Sequence, residues 1–313
     1  MMRRIAHIAL LMILGFSIKG SYAQQELMVS QYMFNQMFLN PAYAGSHEYW
    51  ESSLLYRNQW TGWEGAPNSA LASVNGPLMH KKLGLGINVA HDKIGITESV
   101  NANVNIAYQL VLDREQEHHI SFGLKTSFIG QKAQLSDLVY WDENDPIYAG
   151  NEMINQQSVA FGAGIYYYSS KYYAGLSAPT IFAQDLKDLP TQEDRNSYLE
   201  QHYYLHGGMI ITLNEKLDLK PSTLLKYQAA SPLQADINLH ILFDKRFWVG
   251  ASYRTNKSLI LMLELNINQW VRFGYAYDMN FNGISTYSSG SHELMLGIDF
   301  GKTIVKSTSP RYF

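Results

Sequence analysis

The chain is expected to fold as an all-β transmembrane antiparallel β-barrel of about 14 strands, with both termini on the periplasmic side. Three observations predict it. Apolar residues alternate with polar or small ones, period two, almost without pause from Glu48 to Phe300. A secretory leader precedes this region, and no later stretch is long and apolar enough for a transmembrane helix. The connections sort by length, short at one end of the strands and long at the other. One stretch shows the rhythm plainly. Leu259, Leu261, Leu263, Leu265 and Ile267 share one face, while Ile260, Met262, Glu264, Asn266 and Asn268 share the other.

The leader comes first in the chain. Arg3 and Arg4 form a positive n-region, Ile5 to Ile18 is mostly apolar, and Ser21-Tyr22-Ala23 places small residues at the −3 and −1 positions. Residues 1–23 are therefore expected to be a signal peptide cleaved after Ala23. A membrane anchor needs roughly twenty apolar residues, and this run is shorter. With no cysteine, lipoprotein attachment, disulfides and thiol catalysis are excluded. The net charge of −3 offers no basic patch for nucleic acid. The 22 Tyr, 13 Phe and 6 Trp suit aromatic girdles at two membrane interfaces, although soluble β-sandwiches are also rich in aromatics.

The strands are expected at Glu48–Asn58, Pro67–Asn75, Leu83–His91, Thr97–Leu112, His118–Gly130, Gln157–Tyr168 and Lys171–Ser177. They continue at Gln201–Leu213, Lys216–Gln228, Gln234–Asp244, Phe247–Thr255, Ser258–Asn268, Val271–Met279 and His292–Phe300. The even-to-odd connections, such as Ser169-Ser170, Asn214-Glu215 and Lys245-Arg246, are short turns, as expected on the periplasmic side. Gln131–Gln156, Ala178–Glu200 and Asn280–Ser291 are the long ones, as expected at the cell surface. Pro221 cannot donate to a ladder, so a bulge or bend is expected there. The domains read as signal peptide 1–23, pre-barrel segment 24–47, barrel 48–300 and periplasmic tail 301–313.

Alternation points Arg57, Lys125, Lys220, Lys226, Arg254 and Arg272 into the lumen, with Glu51, Asp218, Asp236, Glu264, Asp278, Glu293 and Asp299. Near-balanced charges in a narrow interior should pair off and leave little selective field. Gly84, Gly86, Gly123, Gly162, Gly164, Gly208, Gly250, Gly274 and Gly297 accompany them and leave room for water, a loop or a partner segment. A structural, plugged lumen is the expectation.

No catalytic constellation emerges. Gly301-Lys302-Thr303 lacks the first glycine of a phosphate loop, since Leu296 stands there. Phe161-Gly162-Ala163-Gly164 runs on as strand rather than opening a helix. His118 and His119 face opposite sides of a strand and cannot share a metal. His206 and His240 are lumen-facing, but there is no G-x-S-x-G elbow and Ser222 shows no activation. The acidic run from Trp141 to Asp145 lacks the EF-hand order. No cofactor is called for.

Between leader and barrel lie Gln31-Tyr32-Met33-Phe34-Asn35-Gln36 and Leu39-Asn40-Pro41-Ala42-Tyr43-Ala44-Gly45, rich in aromatics, Met and Asn and without charge. Such a segment should pack, either into the barrel as a plug or against a periplasmic partner, with Tyr32, Phe34, Asn40, Pro41, Tyr43 and Gly45 as its contact residues. These runs resemble the opening of the PorP/SprF family. Tyr56-Arg57-Asn58-Gln59-Trp60, Gly65-Ala66-Pro67, Lys82-Leu83-Gly84-Leu85-Gly86 and the terminal Ser309-Pro310-Arg311-Tyr312-Phe313 are similar to it as well.

The resemblance implies an outer-membrane component of the type IX secretion system of Bacteroidota, surrounded by outer-membrane lipids. It implies partners too: a periplasmic ring lipoprotein complex, or the C-terminal sorting domain of a large secreted adhesin such as those of gliding motility. On this basis a non-enzymatic docking or anchoring barrel leads. A diffusion channel or transporter for small or hydrophobic compounds is the alternative, and a barrel hydrolase using His206 or His240 a distant third.

Overall fold

The computed structural model describes residues 27–79, 82–135, 153–185, 201–229 and 231–301. The strands are β1 (Trp50–Asn58), β2 (Asn68–Leu78), β3 (Leu83–Ile94), β4 (Thr97–Val111), β5 (His119–Gln134), β6 (Met153–Tyr168), β7 (Tyr172–Asp185) and β8 (His202–Met209). There follow β9 (Ile211–Asn214), β10 (Leu217–Gln228), β11 (Gln234–Phe243), β12 (Phe247–Arg254), β13 (Ser258–Asn266), β14 (Val271–Asn280) and β15 (Ser291–Phe300). Each pairs antiparallel with its neighbours. β1 closes on β15 from Trp50↔Phe300 to Asn58↔His292, so no edge remains. β8 and β9 share one wall position against β10, which makes fourteen positions from fifteen strands.

Alternation decides which side is buried. In β13, Ile260, Met262 and Glu264 are buried, and Leu261 and Leu263 between them are exposed. The same split puts Leu54, Val104, Leu124, Leu239 and Leu294 on the outside. The outer wall is therefore a greasy band, the face a bilayer accepts. Within the wall, polar and apolar side chains fill the bore.

The bend expected at Pro221 takes a particular form. Pro221 keeps its register with Leu239 of β11, but pairing to the other neighbour stops at Leu219↔Ile211 and resumes at Ser222↔Gly208. The missing N–H thus coincides with the break between β8 and β9. β6 and β7 shift register between Phe161 and Ala163, where a Cβ on Gly162 would meet the Pro179 carbonyl oxygen at 2.2 Å. The acidic run from Trp141 to Asp145 and the tail beyond Gly301 lie outside the described residues.

Candidate functional site

The pre-barrel segment runs inside the barrel. Ser30–Met37 and Asn40–His47 are buried, a continuous burial that no other connection shows among the described residues. The segment has three short 3-10 turns, Tyr32–Phe34, Gln36–Phe38 and Pro41–Tyr43. Asn40 caps the last one, its Oδ1 accepting from the Ala42 N–H, and Pro41 takes the first position, where its missing donor costs nothing.

The direction of travel follows from the neighbours. Leu27, Met28 and Val29 line a chamber of about 450 Å³ with Asp92, Thr97, Gln131, Gln234 and Arg254, all near the long-loop end. Gly45 meets Gly84 and Gly76 at the short-turn end, just before β1 begins. The chain therefore enters the lumen at one end and crosses to the other. Trp50 and Phe300 sit together, whereas Leu27 lies at the opposite end of the bore; the termini, expected on one side, lie outside the described residues.

An ion-pair network grips the start of the segment. Glu293 accepts from the Ser30 and Gln31 N–H groups, both at 2.8 Å. Arg57 donates to Ser30 Oγ at 2.7 Å, pairs with Glu293 at 3.2 Å and with Asp278 at 3.1 Å. Arg254 extends the row, 3.5 Å from Asp278 and 3.0 Å from Asp236, and Ser258 donates to Asp278. Three carboxylates thus alternate with two guanidiniums, all buried. A second group holds the other end. Arg272 pairs with Asp299 at 3.2 Å and approaches Glu51 at 3.7 Å, and Glu51 approaches His47 at 3.6 Å.

Between the two, side chains of the segment are fitted individually. Tyr32 OH accepts from Asn238 at 2.6 Å and is buried. Phe34 packs edge-on to His240 and Trp248, with the Lys220 ammonium 5.6 Å from its ring centre. Asn35 donates to Ser53 and Ser73, at 2.5 and 2.7 Å. Asn40 donates to the Ile165 carbonyl at 2.9 Å, and Ser177 to the Leu39 carbonyl at 2.6 Å. Tyr43 sits edge-on to Tyr166.

The wall glycines explain the room. A Cβ on Gly84 would lie 1.8 Å from the Ala44 carbonyl oxygen, on Gly86 2.2 Å from Met37 Sδ, and on Gly123 2.2 Å from the Ala42 nitrogen. On Gly164 it would lie 2.1 Å from Asn40 Oδ1, and on Gly274 2.3 Å from Gln31 Oε1. These five form a bed for the segment. Gly162, Gly208, Gly250 and Gly297 instead accommodate other wall residues. Gly45 itself has φ +69, a left-handed turn pressed against Gly84.

The expected lumenal charges are thereby sorted. Arg57, Asp236, Arg254, Asp278 and Glu293 share the first network, and Arg272 and Asp299 the second. Lys220 sits by Phe34, Lys125 and Lys226 line the chamber, and Glu264 is buried in β13. Unforeseen from the sequence are Asn75, whose Oδ1 accepts from Gly45 N–H, and Gln109, which donates to the Gly45 carbonyl. Both occupy inward positions by alternation, so the signal was present but shared with many others. His206 stacks on Tyr166, and His240 lies against Phe34 and opposite Lys220 of β10. No cluster of metal-ligating side chains occurs among the described residues.

Comparison with known proteins gives two kinds of result. Among solved structures, the Acinetobacter baumannii outer membrane protein Omp33 is similar at a TM-score of 0.45 and 9% identity, covering 81% of this chain and 98% of that one. A deletion mutant of TodX, a monoaromatic hydrocarbon channel, is similar at 0.43 and 7% identity, covering 89% and 95%. No curated protein matches the sequence. The family described as type IX secretion system membrane protein PorP/SprF matches residues 21–298. The chain is an outer-membrane β-barrel belonging to the PorP/SprF family of type IX secretion system membrane proteins.

Proposed function

We propose that this barrel is a non-enzymatic scaffold that docks or anchors partners of type IX secretion. The partner is a periplasmic ring lipoprotein complex or the C-terminal sorting domain of a large surface adhesin. The observation that carries the reading is the occupied bore: Ser30–Met37 and Asn40–His47 are buried along it, held at the start by hydrogen bonds to the Arg57–Glu293 pair and at the end by His47 beside Glu51. A barrel filled by its own chain has its rims and loops to offer, not a path. Tyr32, Phe34, Asn40, Pro41, Tyr43 and Gly45 act as the plug in this reading. The long loops face the cell surface, the short turns and the tail 301–313 face the periplasm, and the leader is removed after Ala23. The diffusion-channel reading requires the segment to leave the bore first.

The test is crosslinking and mass spectrometry on tagged protein extracted from its native membrane. Crosslinks from the rims or loops to a lipoprotein of a periplasmic ring, or to a large adhesin, are the expected result. A barrel recovered alone at native abundance, with steady conductance in a planar bilayer, would overturn the docking role in favour of the channel.

A further inference from the structure

The outer wall over β15, β1, β2 and β3 carries two adjoining hollows. β2 turns Ala70 and Ala72 outward where its neighbours β1 and β3 present Leu54, Tyr56, Val89 and His91, with Leu296 of β15 beyond Leu54. The two short side chains recess the wall and leave an apolar furrow of about 460 Å³. Two residues nearer the long-loop end the outward row becomes polar. Asn58 pairs with Asn68, and Asn68 with Lys93, across three strands. A second hollow of about 290 Å³ opens there, bounded by these three with Thr61 and Trp63.

The loop that carries Trp63 is clamped on both sides. Thr61 N–H donates to the Gly290 carbonyl at 2.8 Å, Ser289 N–H to the Thr61 carbonyl at 2.9 Å, and Gly95 N–H to the Gly65 carbonyl at 2.9 Å. Trp60, Trp63 and Tyr287, from two different loops, lie in series with ring centres 5.8 and 5.9 Å apart and planes tilted by 32° and 44°. Trp63 nevertheless remains 46% exposed. Asn58 accepts from Thr61 through Oδ1, which leaves its amide N–H groups unused among the described residues.

We propose that the two hollows form one site for a single outer-leaflet glycolipid, its acyl chain in the Ala70–Ala72 furrow and its saccharide headgroup against Trp63, Asn58 and Asn68. The furrow opens on the membrane-facing band, so an acyl chain is what can fill it. An indole face beside amides and a hydroxyl suits a sugar, whose C–H face stacks while its hydroxyls bond. Lys93 is already paired with Glu98 at 3.0 Å, which leaves little net charge to select a simple phosphate headgroup. The site shares only the orientation of the long-loop end with the docking reading, and the test below needs neither orientation nor partner.

The experiment is native mass spectrometry of the full-length barrel in mixed micelles, offered an uncharged acylated disaccharide glycolipid or phosphatidylglycerol. One glycolipid per barrel, retained roughly tenfold better than phosphatidylglycerol, is expected. Ala70→Leu with Ala72→Leu, and separately Trp63→Ala, should each lower that retention by about the same factor. The added leucines face outward on the same apolar row as Leu54 and Val89, and heat-dependent gel migration reports that the barrel stays folded. Trp63→Ala, in a loop, provides the reading where the double variant does not fold. Equal retention of the two lipids, or retention unchanged in the variants that fold, would overturn the site.

Discussion

At the scale of single residues, the segment is held by pairs whose partners cannot be removed singly. Arg57 touches Ser30, Asp278 and Glu293, and its side chain is buried. Arg57→Ala leaves Glu293 without its cationic partner and Asp278 with Arg254 alone at 3.5 Å, and removing one member of a buried pair costs about 3–5 kcal/mol. Urea unfolding in detergent should show a loss of that order, with the barrel still formed without denaturant. A change below about 1 kcal/mol, the worth of an exposed pair, would show that Arg57 is hydrated rather than buried. Phe34→Ala tests the apolar anchor, where loss of a buried Phe costs about 3–5 kcal/mol.

At the scale of elements, the bed of glycines and the 3-10 turns define one another. Gly123→Val would drive side-chain atoms into the backbone at Pro41 and Ala42, so the third turn must move or the segment must leave. The native chain has no cysteine, so Ala42→Cys is a unique reporter. That thiol should resist maleimide in the otherwise unchanged chain, since Ala42 is fully buried, and should label readily beside Gly123→Val. The strands were legible in the sequence because period two is a local signal, and all fourteen wall positions overlap the expected runs. β5, β6 and β7 nevertheless extend to Gln134, back to Met153 and on to Asp185, into stretches expected as long loops, because ladder pairing between neighbours carries them past the alternating core. The break at Pro221 was legible as a bend, though not as a division of its neighbour into β8 and β9. The path of the segment was not legible. Three 3-10 turns carry no periodicity, and their partners are remote: Ser30 and Glu293 stand 263 residues apart. The inward glycines signalled spare volume, but the identity of the filler lay in those non-local contacts.

At the scale of the molecule, the barrel closes by pairing its first strand with its last, and a segment that begins at the far end lies inside that ring. The segment must be in place before or as β1 meets β15, or else thread a finished barrel. Closure around it accounts for ion pairs joining β1, β14 and β15 at the point where the segment starts. The central claim is that the chain blocks its own bore, and single-channel conductance in planar bilayers tests it most directly. The full-length barrel should give no steady current, and the same barrel lacking residues 27–47 should give a large and stable one. A full-length barrel that conducts as steadily as the deletion variant would contradict the account.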